Sequence, residues 1–173
     1  MIEMNDKIDR LIFLDLDHVL TNTSLDNTSF LSYDPSKYML SKINLMHLDR
    51  ILGATNAKIV IASNWRKFKK PYTAWYFEGK WYESILEPFK KLYSGKIIDT
   101  LPVEHNLTKC ECLELWFEDN IWFSKHGHYV ILEDDINERY QEHSIYSKHL
   151  VLTDYHVGLT DDDASKAIAM LNR

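Results

Sequence analysis

The chain has 173 residues, 45% of them hydrophobic and 27% charged, the make-up of an ordinary globular protein with a full core. No apolar run approaches the roughly 20 residues that a membrane span needs, and the mixed-charge start has no signal-peptide core, so the expectation is a cytoplasmic protein with no membrane partner. A net charge of −6 and a pI near 5.7 exclude a surface built as a whole to attract nucleic acid, although a local basic patch stays open.

The first predicted element is a strand at residues 11–14, where four apolar residues run directly into Asp15, Leu16 and Asp17. A continuous apolar run of this length reads as a strand covered on both faces. The period-2 alternation of a strand predicts that Asp15 and Asp17 share one side. Two buried carboxylates need a cation or a proton to compensate them, and the carboxyl end of a strand is where open α/β sheets bind ligands. As ordinary loop acids after a core strand, both would simply be solvated.

Residues 22–35, rich in Asn, Ser, Thr and Asp and closed by Pro35, read as a long loop of the kind that is usually functional. Residues 41–54 read as a helix: Ile43, Met46, Leu48, Ile51 and Leu52 recur near a 3.6 period, with Gly53 near the end. Lys58 to Ala62 form a second buried strand, which runs into Ser63, Asn64, Trp65 and Arg66.

Residues 65–93 read as an insertion crowded with aromatic rings, among them Trp75, Tyr76 and Trp81, with Arg66, Lys67, Lys69 and Lys70 near its start. Rings interleaved with basic side chains suit stacking on bases and neutralising phosphates. The other reading is a small aromatic core with a solvated basic face. Both stay open.

A third strand is predicted at residues 95–99. Lys109 then opens a helix running to about Phe123, with Leu113, Trp116 and Phe117 on its core face. The fourth strand, residues 128–132, ends in Glu133, Asp134 and Asp135, and the fifth covers residues 149–153. Thr160 reads as the N-cap of a last helix reaching Leu171, so Asp161, Asp162 and Asp163 serve the helix dipole. Cys110 and Cys112 are too few for a disulfide framework.

Strands alternating with helices predict an α/β fold: a three-layer, doubly wound parallel sheet of about five strands, in one domain over residues 1–173. In such a sheet Asp15, Asp17, Ser63, Lys109 and Asp134 fall on one edge.

With Asp-x-Asp on the first strand, Ser63 ending the second, Lys109 before a helix and acids ending the fourth, the chain resembles the haloacid dehalogenase (HAD) superfamily. More narrowly, Ser63 to Arg66, Tyr129 to Asp135 and the late Thr153-Asp154…Gly158-Leu159-Thr160 are similar to the HAD domains of Swiss Army Knife RNA-repair proteins. The resemblance implies a catalytic set of Asp15 as nucleophile, Asp17 as general acid and base, Ser63 as a donor to the phosphoryl group and Lys109 as its counter-charge. It implies Mg²⁺ held by Asp15, Asp17, Asp134 and Asp135, with the choice among Glu133, Asp134 and Asp135 open by one residue. Asn64, Arg66 and His18 are the expected substrate contacts. His18 stands where the family usually carries Gly, and either adds a hydrogen bond to substrate, crowds the phosphate site or faces solvent.

The implied activity is a Mg²⁺-dependent phosphomonoesterase working through an aspartyl-phosphate, on a phosphorylated small molecule, a nucleotide or a nucleic-acid end. The alternatives are a phosphotransferase and a catalytically idle HAD-fold binding module. Retention of both Asp15 and Asp17 favours the enzyme. A receiver domain, which also gathers acids and a lysine, would carry its acidic pair on the first strand and its acceptor on the third, and does not fit.

Overall fold

The computed structural model describes residues 8–21, 40–68, 86–104, 106–138 and 140–173. Five strands, β1 (Arg10–Leu14), β2 (Lys58–Ile61), β3 (Ile97–Thr100), β4 (His128–Glu133) and β5 (Leu150–Leu152), form a single sheet in the order β3-β2-β1-β4-β5. Every pairing is parallel. The strand order reverses beside β1, at the topological switch point where such sheets bind ligands.

The apolar run of β1 is sandwiched as its composition predicts. Ile12 and Leu14 face one core with Leu48, Ile51 and Leu52 of α1 (Lys42–Thr55), Phe89 of α2 (Glu87–Leu92), and Ala164, Ala167 and Leu171 of the last helix. Leu11 and Phe13 face the opposite core, with Leu113 and Trp116 of α3 (Lys109–Asp119) and Phe123 of α4 (Ile121–His126). Phe13 meets Trp116, Phe117 and Tyr129 edge-on, with ring centroids 5.2–5.8 Å apart, the geometry that aromatic quadrupoles favour.

Two local readings change. The helix expected over residues 109–123 is two helices, because Asn120 leaves helical geometry (φ −120°, ψ 50°) and caps α3. Helix α1 ends within a residue of the expected place and is capped by Asn56, whose left-handed φ of 53° Asn tolerates well. Its inner face starts differently: Ile43 and Met46 are exposed while Asn44 is buried. Asn44 turns inward because its Nδ2 donates to the carbonyls of Val19 and Val157, at 3.0 and 3.1 Å.

The last helix, α5 (Asp161–Leu171), opens with a complete capping box. Thr160 Oγ1 accepts the Asp163 N–H at 3.2 Å and donates to the Asp163 carboxylate at 2.6 Å. Thr160→Ala is expected to cost about 1 kcal/mol, read from denaturant midpoints. An unchanged midpoint would show that the cap is idle.

Of the ring-rich insertion, Trp65, Phe89 and Tyr93 are buried core residues. Trp75, Tyr76, Trp81, Lys69 and Lys70 lie outside the described residues, as does the 22–35 loop.

Candidate active site

The carboxyl ends of β1, β2 and β4 open into one cavity of about 580 Å³, within the range of small-molecule sites. Asp15, Asp17, His18, Ser63, Asn64, Lys109, Asp134 and Asp135, eight of the nine residues singled out from the sequence, all line it.

Asp15 continues the β1–β4 ladder, its N–H donating to the Leu132 carbonyl at 3.0 Å. Its side chain is buried, with Oδ1 accepting the Leu16 N–H at 2.7 Å and Oδ2 accepting Lys109 Nζ at 2.6 Å. Asp17 reaches the same cavity by a different route from strand alternation. The chain leaves the strand after Leu14 and turns, with the Leu20 and Thr21 N–H groups both donating to the Leu16 carbonyl. Thr21 Oγ1 then donates to Asp17 Oδ1 at 3.3 Å.

Lys109 is the first residue of α3, set there by a capping box between Thr108 and Glu111. Only 2% exposed, its ammonium lies 2.6 Å from Asp15 and 2.8 Å from Glu133. Burial alone would lower its pKa, but the two carboxylates outweigh it and hold the charge firmly on.

The same burial acts differently on each acid. It pushes the Asp15 carboxyl up, yet Lys109 pulls it below the ordinary carboxylate value. It raises Asp17, with His18 opposing and the Asp15 charge reinforcing the rise. It raises Glu133 well above its usual value, and Asp15 repulsion adds to this against the pull of Lys109. Asp134 is pushed up to about 6 by burial and then by Asp15.

Carboxylate oxygens of Asp15, Glu133 and Asp134 lie within 4.8 Å of one another. An all-oxygen donor set of this kind fits a hard divalent cation such as Mg²⁺. The set differs from the expected one. Asp17 and Asp135 line the cavity without joining this trio, and Asp135 Oδ1 is engaged by both the backbone N–H and Nδ2 of Asn137, at 2.8 Å. Glu133 enters instead because it is the last residue of β4 and is held inward by Lys109 and by the Asp134 and Asp135 N–H groups.

Arg66 departs from expectation. It is buried outside the cavity lining, its Nη1 donating to the carbonyls of Ala62 (2.6 Å) and Ser63 (2.9 Å), while Nε and Nη2 face Pro102 O at 3.4 Å. It clamps the end of β2 and does not reach toward a substrate, because buried backbone carbonyls outcompete solvent for its donors.

Sequence reasoning missed Glu138. Its carboxylate accepts Asn64 Nδ2 at 2.9 Å and the Lys109 N–H at 2.6 Å, so it ties the β2 and α3 contributions together. It lies in an aperiodic polar stretch, which carries no signal of this kind.

A family model for the HAD domain in Swiss Army Knife RNA repair proteins matches residues 11–164. The chain belongs to this family. The match runs from the start of the β1 apolar run into α5, so the five-stranded parallel sheet and its acidic edge are those of a HAD domain. Membership supports a HAD-type hydrolase or phosphatase, a superfamily that generally uses Mg²⁺. No curated protein and no solved structure matches the chain. Among the described residues, no helix of this HAD domain is long and apolar enough to cross a membrane.

Proposed function

We propose that this HAD domain is a Mg²⁺-dependent phosphomonoesterase that works through a phosphoaspartate on a nucleotide or a nucleic-acid end. The observation that carries the reading is the meeting of two neighbouring carboxyls with unlike partners in one cavity. Asp15 accepts Lys109 Nζ at 2.6 Å, which despite burial holds its carboxyl below the ordinary value, whereas Asp17 accepts Thr21 Oγ1 at 3.3 Å and burial raises its carboxyl. Carboxyls with surroundings that differ in this way suit a nucleophile and a general acid.

In this reading Asp15 attacks phosphorus, the bond to the leaving alcohol breaks, and Asp17 gives its proton to that oxygen. Asp17, now a carboxylate, takes a proton from water as the water attacks the phosphoaspartate. Phosphate leaves, Asp15 is restored and Asp17 is protonated again. Lys109 keeps the Asp15 charge from being quenched by protonation. Ser63, buried at the end of β2, and Asn64, oriented by Glu138, line the cavity and would donate to phosphoryl oxygens. Asp15, Glu133 and Asp134 would hold Mg²⁺, which supplies positive charge where an anionic nucleophile meets an anionic phosphate. The nucleic-acid assignment leans on the family's RNA-repair description.

A panel of phosphate esters assayed with Mg²⁺ and with EDTA tests the reading. Turnover in Mg²⁺ and none in EDTA is expected, and no ester turned over in Mg²⁺ would overturn it. Independently of turnover, Mg²⁺ is expected to raise the melting temperature, by about 2.7 kcal/mol of stabilisation at a hundred times its Kd. Asp134→Ala is expected to remove that rise. Because Asp134 holds its proton up to about pH 6, the rise should also shrink as the pH falls through that value. A Mg²⁺-induced rise that survives in Asp134→Ala would count against this metal site.

A further inference from the structure

Above the acidic floor of the cavity sits a pair of rings to which the proposed chemistry assigns no role. Tyr155 lines the cavity and stacks on His18, with centroids 3.6 Å apart and planes inclined by 27°. His18 is 6% exposed, and its Nδ1 is buried with no hydrogen-bond partner among the described residues. Tyr155 keeps 50% of its surface open. Ile136, on the β4 side of the same cavity, is also exposed. The entrance is therefore ring-lined and apolar while the floor is ionic.

The rings are held there by the backbone. His18 sits at a left-handed φ of 49°, a conformation in which His is enriched among non-glycine residues. Its N–H donates to Thr21 Oγ1 at 2.9 Å, and its carbonyl accepts from Thr153 Oγ1 at 3.3 Å. Tyr155 rides a tight turn closed by Gly158 N–H to Asp154 O at 2.8 Å, with Asp154 Oδ1 also accepting the His156 N–H. Gly158 has a φ of 73°, and a Cβ there would collide with Asn44 Nδ2. Asn44 in turn bonds Val19, next to His18, and Val157, two residues past Tyr155 in the same turn. One buried amide thus braces both carriers of the stack, which makes the platform preorganised.

We propose that His18 and Tyr155 form a base-stacking platform, so that the substrate is a nucleoside phosphate whose ring lies on Tyr155 while its phosphate reaches Asp15. The proposal rests on the phosphomonoesterase reading and specifies its leaving group. Stacking on a half-exposed ring is tolerant of base identity, and the buried His18 backs that ring from its other face. A purely aliphatic alcohol would leave the platform unused. A free nucleotide and the terminal nucleotide of an oligonucleotide share this chemistry.

The test measures binding of non-hydrolysable phosphonates by calorimetry, in Mg²⁺, to the wild-type chain, Tyr155→Ala and Tyr155→Phe. The ligands are an adenosine phosphonate, an oligonucleotide ending in the same group, and ethylphosphonate. Wild type is expected to prefer the adenosine ligand. Tyr155→Ala should reduce that preference about 5- to 150-fold and Tyr155→Phe should keep it. An unchanged preference in Tyr155→Ala, or an equal loss in Tyr155→Phe, overturns the platform. Oligonucleotide binding tighter than mononucleotide binding identifies a chain end as the source, and equal binding identifies a free nucleotide. If the Tyr155-dependent preference is present but the corresponding phosphates are not hydrolysed, the phosphomonoesterase reading fails while the platform stands. Hydrolysis of alkyl phosphates with no nucleoside preference is the reverse case.

Discussion

Asp15→Asn is expected to abolish phosphomonoester turnover, with kcat lowered by about 10⁴–10⁶-fold, the range seen when an enzyme loses its nucleophile. The substitution is nearly isosteric, and the Asn Oδ1 still accepts a hydrogen bond, so the circular dichroism spectrum should not change. Lys109 also keeps its second partner, Glu133, at 2.8 Å. Asp17→Asn should fall less far, by about 10²–10⁴-fold, because it removes proton transfer and spares the attacking group. The contrast between the two is the informative quantity. Wild-type activity in Asp15→Asn would end the phosphoaspartate reading, whereas a greater loss in Asp17→Asn would exchange the two roles.

Lys109→Met is expected to unfold the domain readily as well as silence it. The ammonium is the charge that lets Asp15 and Glu133 be buried 2.6 and 2.8 Å from it. Removing one member of such a buried cluster costs about 3–5 kcal/mol. For a chain of this length that is roughly 6–20 °C in melting temperature. The loss should depend on pH with a definite sign. Without Lys109 the folded pKa of Asp15 rises above its unfolded value, and that of Glu133, already raised by burial and by Asp15, rises further. A group raised in this way binds more protons folded than unfolded, so stability falls as pH increases through that window. Lys109→Met should therefore lie closest to wild type near pH 5 and fall farther behind toward pH 8, in melts recorded without metal. A variant that melts with wild type at every pH would mean that the carboxylates find compensation elsewhere.

The stretches of this chain that announced themselves were those whose physics is local. The four apolar residues before Asp15 read as a strand buried on both faces and form one, as do the runs ending at Ser63 and Glu133. Their order, with polar residues at each carboxyl end, was enough to imply a doubly wound sheet and to bring Asp15, Asp17, Ser63 and Asp134 to one edge. Lys109 was legible from its place before a helix and from the family resemblance, while the Thr108–Glu111 capping box that fixes it there shows only in the structure. Questions of partner choice were not legible, since they depend on which atoms compete for a donor or a charge in three dimensions. Arg66 looked like a substrate contact beside the phosphate edge, yet the carbonyls of Ala62 and Ser63 after β2 and of Pro102 after β3 claim its guanidinium. Among three consecutive acids, only the packing of β4 decided that Glu133 turns toward Lys109 while Asp135 is spent on Asn137. Asn44, Glu138 and Tyr155 lie 27 to 140 residues from Asp15 and Asp17, and neither the period of the α1 stretch nor the motif around Tyr155 says what these side chains touch. Their roles arise only when the sheet closes and brings α1, the segment after β4 and the β5–α5 turn to one rim, because hydrogen bonding and stacking act over a few ångströms of space whatever the separation along the chain.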